Sequence, residues 1–248
     1  MTRLIENTKQ FIKSRTLGEG SGHDWWHIKR VYEMSQQLIQ QLEKRVAINK
    51  EVVELAALLH DIADWKFNDG DDNAGPQEAR LWLERQHANS ELVQHVCTII
   101  KNISFKGSEH VAPELSIEGQ IVQDADRLDA IGAIGIARAF AYGGYKKRIL
   151  FDPSIHPEQH QDEKAYKANQ STTINHFFEK LLIVKDRLNT EPAKQIAINR
   201  QRFMIEFLDE FFKENNDSSS WHATAIKYSV QGLERHESCR PTRLHDEK

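Results

Sequence analysis

Cysteine is scarce in this chain: Cys97 and Cys239 are the only two in 248 residues. The first sits in the apolar run HVCTII, the second in a polar C-terminal stretch, and neither has a CxxC partner. No disulfide framework is expected. Long apolar runs are missing as well. No stretch approaches the ~18 uninterrupted apolar residues of a membrane span, and MTRLIENTKQFIKS at the N-terminus lacks a signal-peptide core. Nor is there a surplus of positive charge: 33 Lys and Arg against 37 Asp and Glu leave a net charge of -4. No global field therefore invites a nucleic-acid backbone. The short basic runs RNRQRF and YKKR read as solvated faces. Together these absences imply a reduced, soluble, cytoplasmic protein that binds neither membrane nor nucleic acid.

What is present is helical periodicity, with no useful strand alternation and no internal repeat. From Trp25 to about Lys44, the positions His27, Val31, Met34, Leu38 and Leu42 share one face. Asn49 caps a second helix running to about Ala63, whose VVELAALL centre is apolar nearly all round and calls for burial. A third helix opens at Asn73 or Gly75-Pro76, a fourth covers Glu91 to Ile103, and a fifth covers Ser116 to Leu128. GAIGIARAFAYGG reads as a helix ended by Gly143-Gly144. Two long amphipathic helices follow, about Ser171–Leu188 and Glu191–Glu214, with a last one near Trp221–Arg235. The fold class is all-α, with residues 1–215 as a core and appended helices and 216–248 as a C-terminal helix and flexible tail.

The dipeptide His-Asp occurs three times, at His23, His60 and His245. Each pairs a nitrogen with an oxygen ligand, a mixture that suits a divalent metal. His245-Asp246 lies in a polar tail with nothing to position it. Asp24 reads as a helix N-cap. His60-Asp61 differs, because LAALL leads directly into it. A carboxylate beside a buried helix is costly unless it is paired, hydrogen-bonded or bound to a cation. Its plain reading is a satisfied helix-terminal pair. His27 faces the core, where a lone histidine is more often hydrogen-bonded than a ligand. In IVQDADRLDAIG three acids, Asp124, Asp126 and Asp129, crowd a mostly apolar helix, with Arg127 as an ordinary partner.

The order His27, His60-Asp61, Asp126 resembles the H…HD…D pattern of the HD-domain superfamily of metal-dependent phosphohydrolases. The resemblance is closest to small stand-alone bacterial members. It extends through HDWWHIKRV, LAALLHDIADWKF, ISFKG, DADRLDAIGAIGIARAF and STTINHFFEKLLIVKDRLNT, most of residues 20–215. It implies an all-helical HD core and makes His27, His60, Asp61 and Asp126 the ligands of one divalent metal. Mn²⁺ or Mg²⁺ is expected first, with Fe, Co or Ni as alternatives. His87, His95 and His110 lie between the HD pair and the last aspartate, but none matches an extra-ligand motif, which favours one ion over two.

The implied chemistry is hydrolysis of a phosphate ester or anhydride by a metal-activated water. Asp64, three residues past Asp61, is the candidate to orient or deprotonate that water, and Lys66 is its catalytic companion. Phosphate oxygens need cations, for which Arg30, Lys106, His176 and Lys180 are the substrate-binding candidates. Each could equally be a solvated surface group. The expected partner is a small phosphate substrate of the nucleotide class, with nucleoside triphosphate pyrophosphohydrolysis among the options; a homodimer stays open. The chain lacks a synthetase partner domain and a GYP-type signature, so alarmone and cyclic dinucleotide cleavage fall behind. The alternative from another class is a non-catalytic nucleotide-sensing or binding HD module, against which the intact ligand set argues.

Overall fold

The computed structural model describes residues 2–16, 24–63, 73–103, 114–157 and 171–215. Among these are nine α-helices and a 3₁₀ helix, and no strand. The helices are α1 (Arg3–Arg15), α2 (Trp25–Leu42), α3 (Lys50–Leu59), α4 (Ala74–Arg85), α5 (Ser90–Ile103), α6 (Ile117–Asp129), α7 (Gly132–Tyr145), α8 (Thr173–Glu179) and α9 (Glu191–Glu214). The 3₁₀ helix Leu181–Arg187 joins α8 to α9. The fold is all-α, as the periodicity requires.

Helix α3 is the centre. Asn49 Oδ1 accepts the Val52 N–H to start it, and Leu55 through Leu59 are fully buried. At roughly 1.5–3 kcal/mol per buried leucine, its three leucines alone rival the net stability of an ordinary domain. Helices α1, α2, α5 and α6 surround it, and α6 also packs on α2, α5, α7 and α9. The register of α2 is therefore critical. Its buried positions are His27, Ile28, Val31, Tyr32, Ser35, Leu38 and Ile39. Met34 and Leu42, which the periodicity placed on the buried stripe, lie at its half-buried margin.

Other boundaries shift for identifiable reasons. Helix α1 carries Ile5, Thr8 and Ile12 at helical spacing on one buried face, a period hidden by the alternating look of the N-terminal sequence. The GAIGIARAFAYGG helix does not stop at Gly143-Gly144 but runs on to Tyr145. A Cβ at Gly143 would lie 2.3 Å from Thr173 Oγ1, so this glycine admits α8 rather than ending α7. The span expected as one helix from Ser171 to Leu188 breaks at Lys180, whose φ is -137°. Rewinding as 3₁₀ lets Leu181, Leu182 and Val184 all face inward. Gln201 on α9 takes up the Leu182 carbonyl. The expected helix at Trp221–Arg235 lies outside the described residues, as do Cys239 and the other two His-Asp histidines, His23 and His245.

Candidate metal centre

Three helices deliver the centre. Asp24 Oδ1 accepts the His27 N–H at 3.0 Å and so caps α2, placing His27 one turn in, facing the core and fully buried. His60 is the C-cap residue of α3. The backbone is still right-handed helical there, and His60 and Asp61 turn their side chains toward each other, with His60 Nε2 3.5 Å from Asp61 Oδ2. Asp126 projects from the last turn of α6, which packs along α2.

The side chains converge. His27 Nε2 stands 3.2 Å from His60 Nε2 and 3.2 Å from Asp61 Oδ2. His60 Nε2 is 3.5 Å from the same oxygen. Asp126 Oδ1 lies 3.6 Å from His27 Nε2 and 3.8 Å from His60 Nε2. Ligands about 2.1 Å from an ion stand about 3 Å apart at right angles, so these separations suit neighbours around one small cation. Among the described residues, His27, His60 and Asp61 form the one such group able to share an ion.

Second partners fix both rings. His27 Nδ1 meets Asp129 Oδ2 at 2.7 Å, and His60 Nδ1 meets the Ala57 carbonyl at 2.9 Å. With each Nδ1–H donated outward, each Nε2 turns a lone pair toward its neighbour, and a cation shared between them would satisfy both. Burial disfavours a charge on His27 and Arg138 adds to that. Its hydrogen bonds to the Asp129 and Asp61 carboxylates outweigh both, so the ring is more basic than a free imidazole. A basic, fixed, buried imidazole is a strong metal ligand. The donor set, two imidazoles and two carboxylates, has the mixed nitrogen and oxygen chemistry that suits a divalent ion.

Asp129 is the anchor that the sequence reading left without a role. It receives Arg30 through Nε at 2.6 Å and Nη2 at 3.0 Å, and Arg138 Nη1 at 2.9 Å. Burial would raise its carboxyl pKa, yet the His27 and Arg30 hydrogen bonds and the Arg138 charge hold it well below the usual carboxylate range. Its partner His27 lies 102 residues away, so the local sequence offers only the i+3 spacing from Asp126 as a signal. Asp124, the third acid, is wholly structural: it accepts from Asn189 and Thr190 and pins the start of α9. Arg127 does not neutralise Asp126 by hydrogen bonding; its guanidinium donates to the Arg187 carbonyl.

The remaining candidates are dispersed. Arg30 borders the centre, engaged by Asp129. His176 and Lys180 belong to α8 and its C-cap, which pack chiefly on α7 and the 3₁₀ helix. Asp64, Lys66 and Lys106 lie outside the described residues. His87 is exposed with a φ of 58°, and His95 Nε2 pairs with Ser116 Oγ at 2.9 Å; neither joins the ligand group.

An all-helical domain that gathers H…HD…D side chains at one point defines the HD class, and comparison with known proteins agrees. The HD domain profile matches residues 25–131, the segment that carries His27, His60, Asp61 and Asp126. The Bacillus subtilis protein YpgQ, itself uncharacterized, is 36% identical over 220 residues, covering 86% of this chain and 94% of YpgQ. A Lactobacillus plantarum structure superposes with a TM-score of 0.77 at 34% identity, covering 87% of this chain and 99% of its own. An HD-superfamily hydrolase from Bacillus thuringiensis gives 0.65 at 44% identity, covering 86% and 96%. YpgQ has also been crystallised in complex with ADP; that structure gives 0.65 at 32% identity, covering 85% and 97%. The chain belongs to the HD-domain superfamily. No helix among the described residues is long and apolar enough to cross a membrane.

Proposed function

We propose that the protein is a cytoplasmic phosphohydrolase dependent on one divalent metal, Mn²⁺ or Mg²⁺, that acts on a nucleotide or related phosphate ester or anhydride. Pyrophosphate release from nucleoside triphosphates is the leading form. The observation that carries the reading is the convergence of His27, His60 and Asp61 on one point, with both imidazoles oriented from behind. The ADP complex of YpgQ adds support for a nucleotide ligand.

Each residue has a definable task. Asp129 and the Ala57 carbonyl hold the two Nδ1 protons, so that both Nε2 atoms stay available as ligands. Asp61, with 13% of its side chain exposed, supplies charge from inside, while Asp126, at 37%, faces the open side where a substrate approaches. A divalent ion bound there supplies Lewis-acid polarisation of a phosphoryl oxygen and acidifies water. Asp64 takes the proton of the attacking water at a carboxylate oxygen, and Lys66 and Lys106 meet phosphate oxygens.

The test is a panel of nucleoside mono-, di- and triphosphates with Mn²⁺, Mg²⁺, Co²⁺ or Ni²⁺, scoring phosphate and pyrophosphate separately. Triphosphates are expected to release pyrophosphate, and Asp61→Ala to cut turnover by more than about 100-fold, beyond what outer partners of a metal site typically control. Undiminished turnover in Asp61→Ala would sink the reading. Tight nucleotide binding without turnover under every metal would favour a sensing module instead.

A further inference from the structure

We infer that the outer face of α7, flanked by Phe203 of α9, docks a second copy of this chain, giving a two-fold dimer paired antiparallel along α7. The inference is independent of the metal-site reading above.

Helix α7 inverts the order expected of a helix at the surface of a monomer. Its fully buried positions are the glycines Gly132, Gly135 and Gly143, while Ile134 is 42% and Tyr145 58% exposed. A Cβ at Gly135 would lie 2.3 Å from the Ala130 carbonyl oxygen, so the glycine side is packed tightly inward and larger side chains are left outside. Ala133, Ile134, Ala137, Ala141, Gly144 and Tyr145 are all exposed, and their helical spacing sets them on one face. That face carries no charge. The helix's single charged residue, Arg138, is turned to Asp129. Helix α5, by contrast, shows Glu91, Gln94, Thr98 and Lys101 to solvent. A helix apolar on both sides calls for cover on both.

Size, charge and symmetry point to the same occupant. Helix α9 packs along α7. Phe203 lies between Arg200, whose stem meets Gly132, and Phe207, whose ring meets Phe140. It is half-exposed beside the face. A half-exposed large side chain offers roughly 100 Å². Ile134, Tyr145 and Phe203, with the small residues among them, then make about 500 Å² per copy, and two copies reach the roughly 1,000 Å² that a specific interface must clear. A two-fold pairing sets the same face against itself, so an uncharged face meets an uncharged face. Ala137 and Ala141 at the centre let the helices approach, and Ile134 of one copy meets Tyr145 of the other. Antiparallel alignment also opposes the helix dipoles. It sends the exposed Lys146-Lys147 pairs, just past the end of α7, to opposite ends of the dimer. A lipid surface is held by basic residues along the length of an apolar face; here they stand at one end.

Sedimentation velocity of the full chain over a dilution series tests the inference. The wild type is expected to move as a species of twice the 28.7 kDa chain mass. Ala137→Glu brings two like charges together at the centre of the pairing and should weaken it by more than about 100-fold. Helical content by circular dichroism should stay unchanged, because Ala137 is exposed. Phe203→Ser, which leaves α7 untouched, should weaken the dimer by about 10-fold. Ala137→Lys alone should be monomeric, and an equal mixture of Ala137→Glu and Ala137→Lys should pair again. A monomeric wild type overturns the inference, whether it stays free or sediments with vesicles containing anionic lipid. A dimer that Ala137→Glu and Phe203→Ser leave intact overturns it as well, as does a mixture of the two charged variants that stays monomeric.

Discussion

Three acids lie within six positions on α6, and their fates differ because their partners do. Asp124 is spent on backbone and side-chain donors at the start of α9, Asp126 is left toward the open side of the ligand group, and Asp129 orients His27 from behind. The crowding was legible in the sequence, and so was the need for partners. The division of labour was not, since each partner comes from a distant segment. At the other end of α6, Glu118 tests the same logic away from the centre. Burial would raise its carboxyl, but the Asn49 N–H, its own N–H, the Ser116 hydroxyl and His95 together depress it. A depressed carboxyl stabilises the fold above its unfolded pKa and loses that contribution as pH falls through the folded value. Glu118→Gln should therefore cost about 1 kcal/mol at pH 7. The gap should narrow once the pH drops below about 4.3 and close in stronger acid. Urea unfolding of both proteins across that range measures it, and a gap independent of pH would refute the assignment.

Elements place these residues, and their ends matter more than their middles. His60-Asp61 stands where α3 stops, and Asp126 and Asp129 stand in the last turn of α6. The sequence marked the starts of α3, α6 and α9 closely, at Asn49, Ser116 and Glu191, while α3 stops at Leu59 rather than near Ala63. It could not reveal the break at Lys180, because FFEKLLIVK is apolar on almost every side and only tertiary packing decides between α and 3₁₀ winding. The α6–α7 turn brings Arg138 back over Asp129 and depends on Gly132. Its φ of +79° is left-handed, and a Cβ there would stand 3.1 Å from the Arg200 stem. Gly132→Ala should destabilise the protein by about 1–3 kcal/mol, seen as a lowered urea midpoint with an unchanged slope. An unchanged midpoint would show that the turn tolerates a side chain.

At the scale of the whole molecule, the helical core is a frame for four side chains. The greasy run before His60, the core-facing position of His27 and the acids of α6 were all visible in the chain, and the family resemblance joined them. Distances came only with the fold, which sets His27 and His60 with their Nε2 atoms 3.2 Å apart. The central claim is that this group holds one divalent ion. The direct measurement is Mn²⁺ titration of the metal-stripped full chain, counting ions bound per chain and following the thermal midpoint alongside. The account predicts one ion per chain and a midpoint that rises with free metal, as linkage requires, with both responses lost in Asp61→Ala. Full occupancy in Asp61→Ala, or no binding by the wild type, would contradict it.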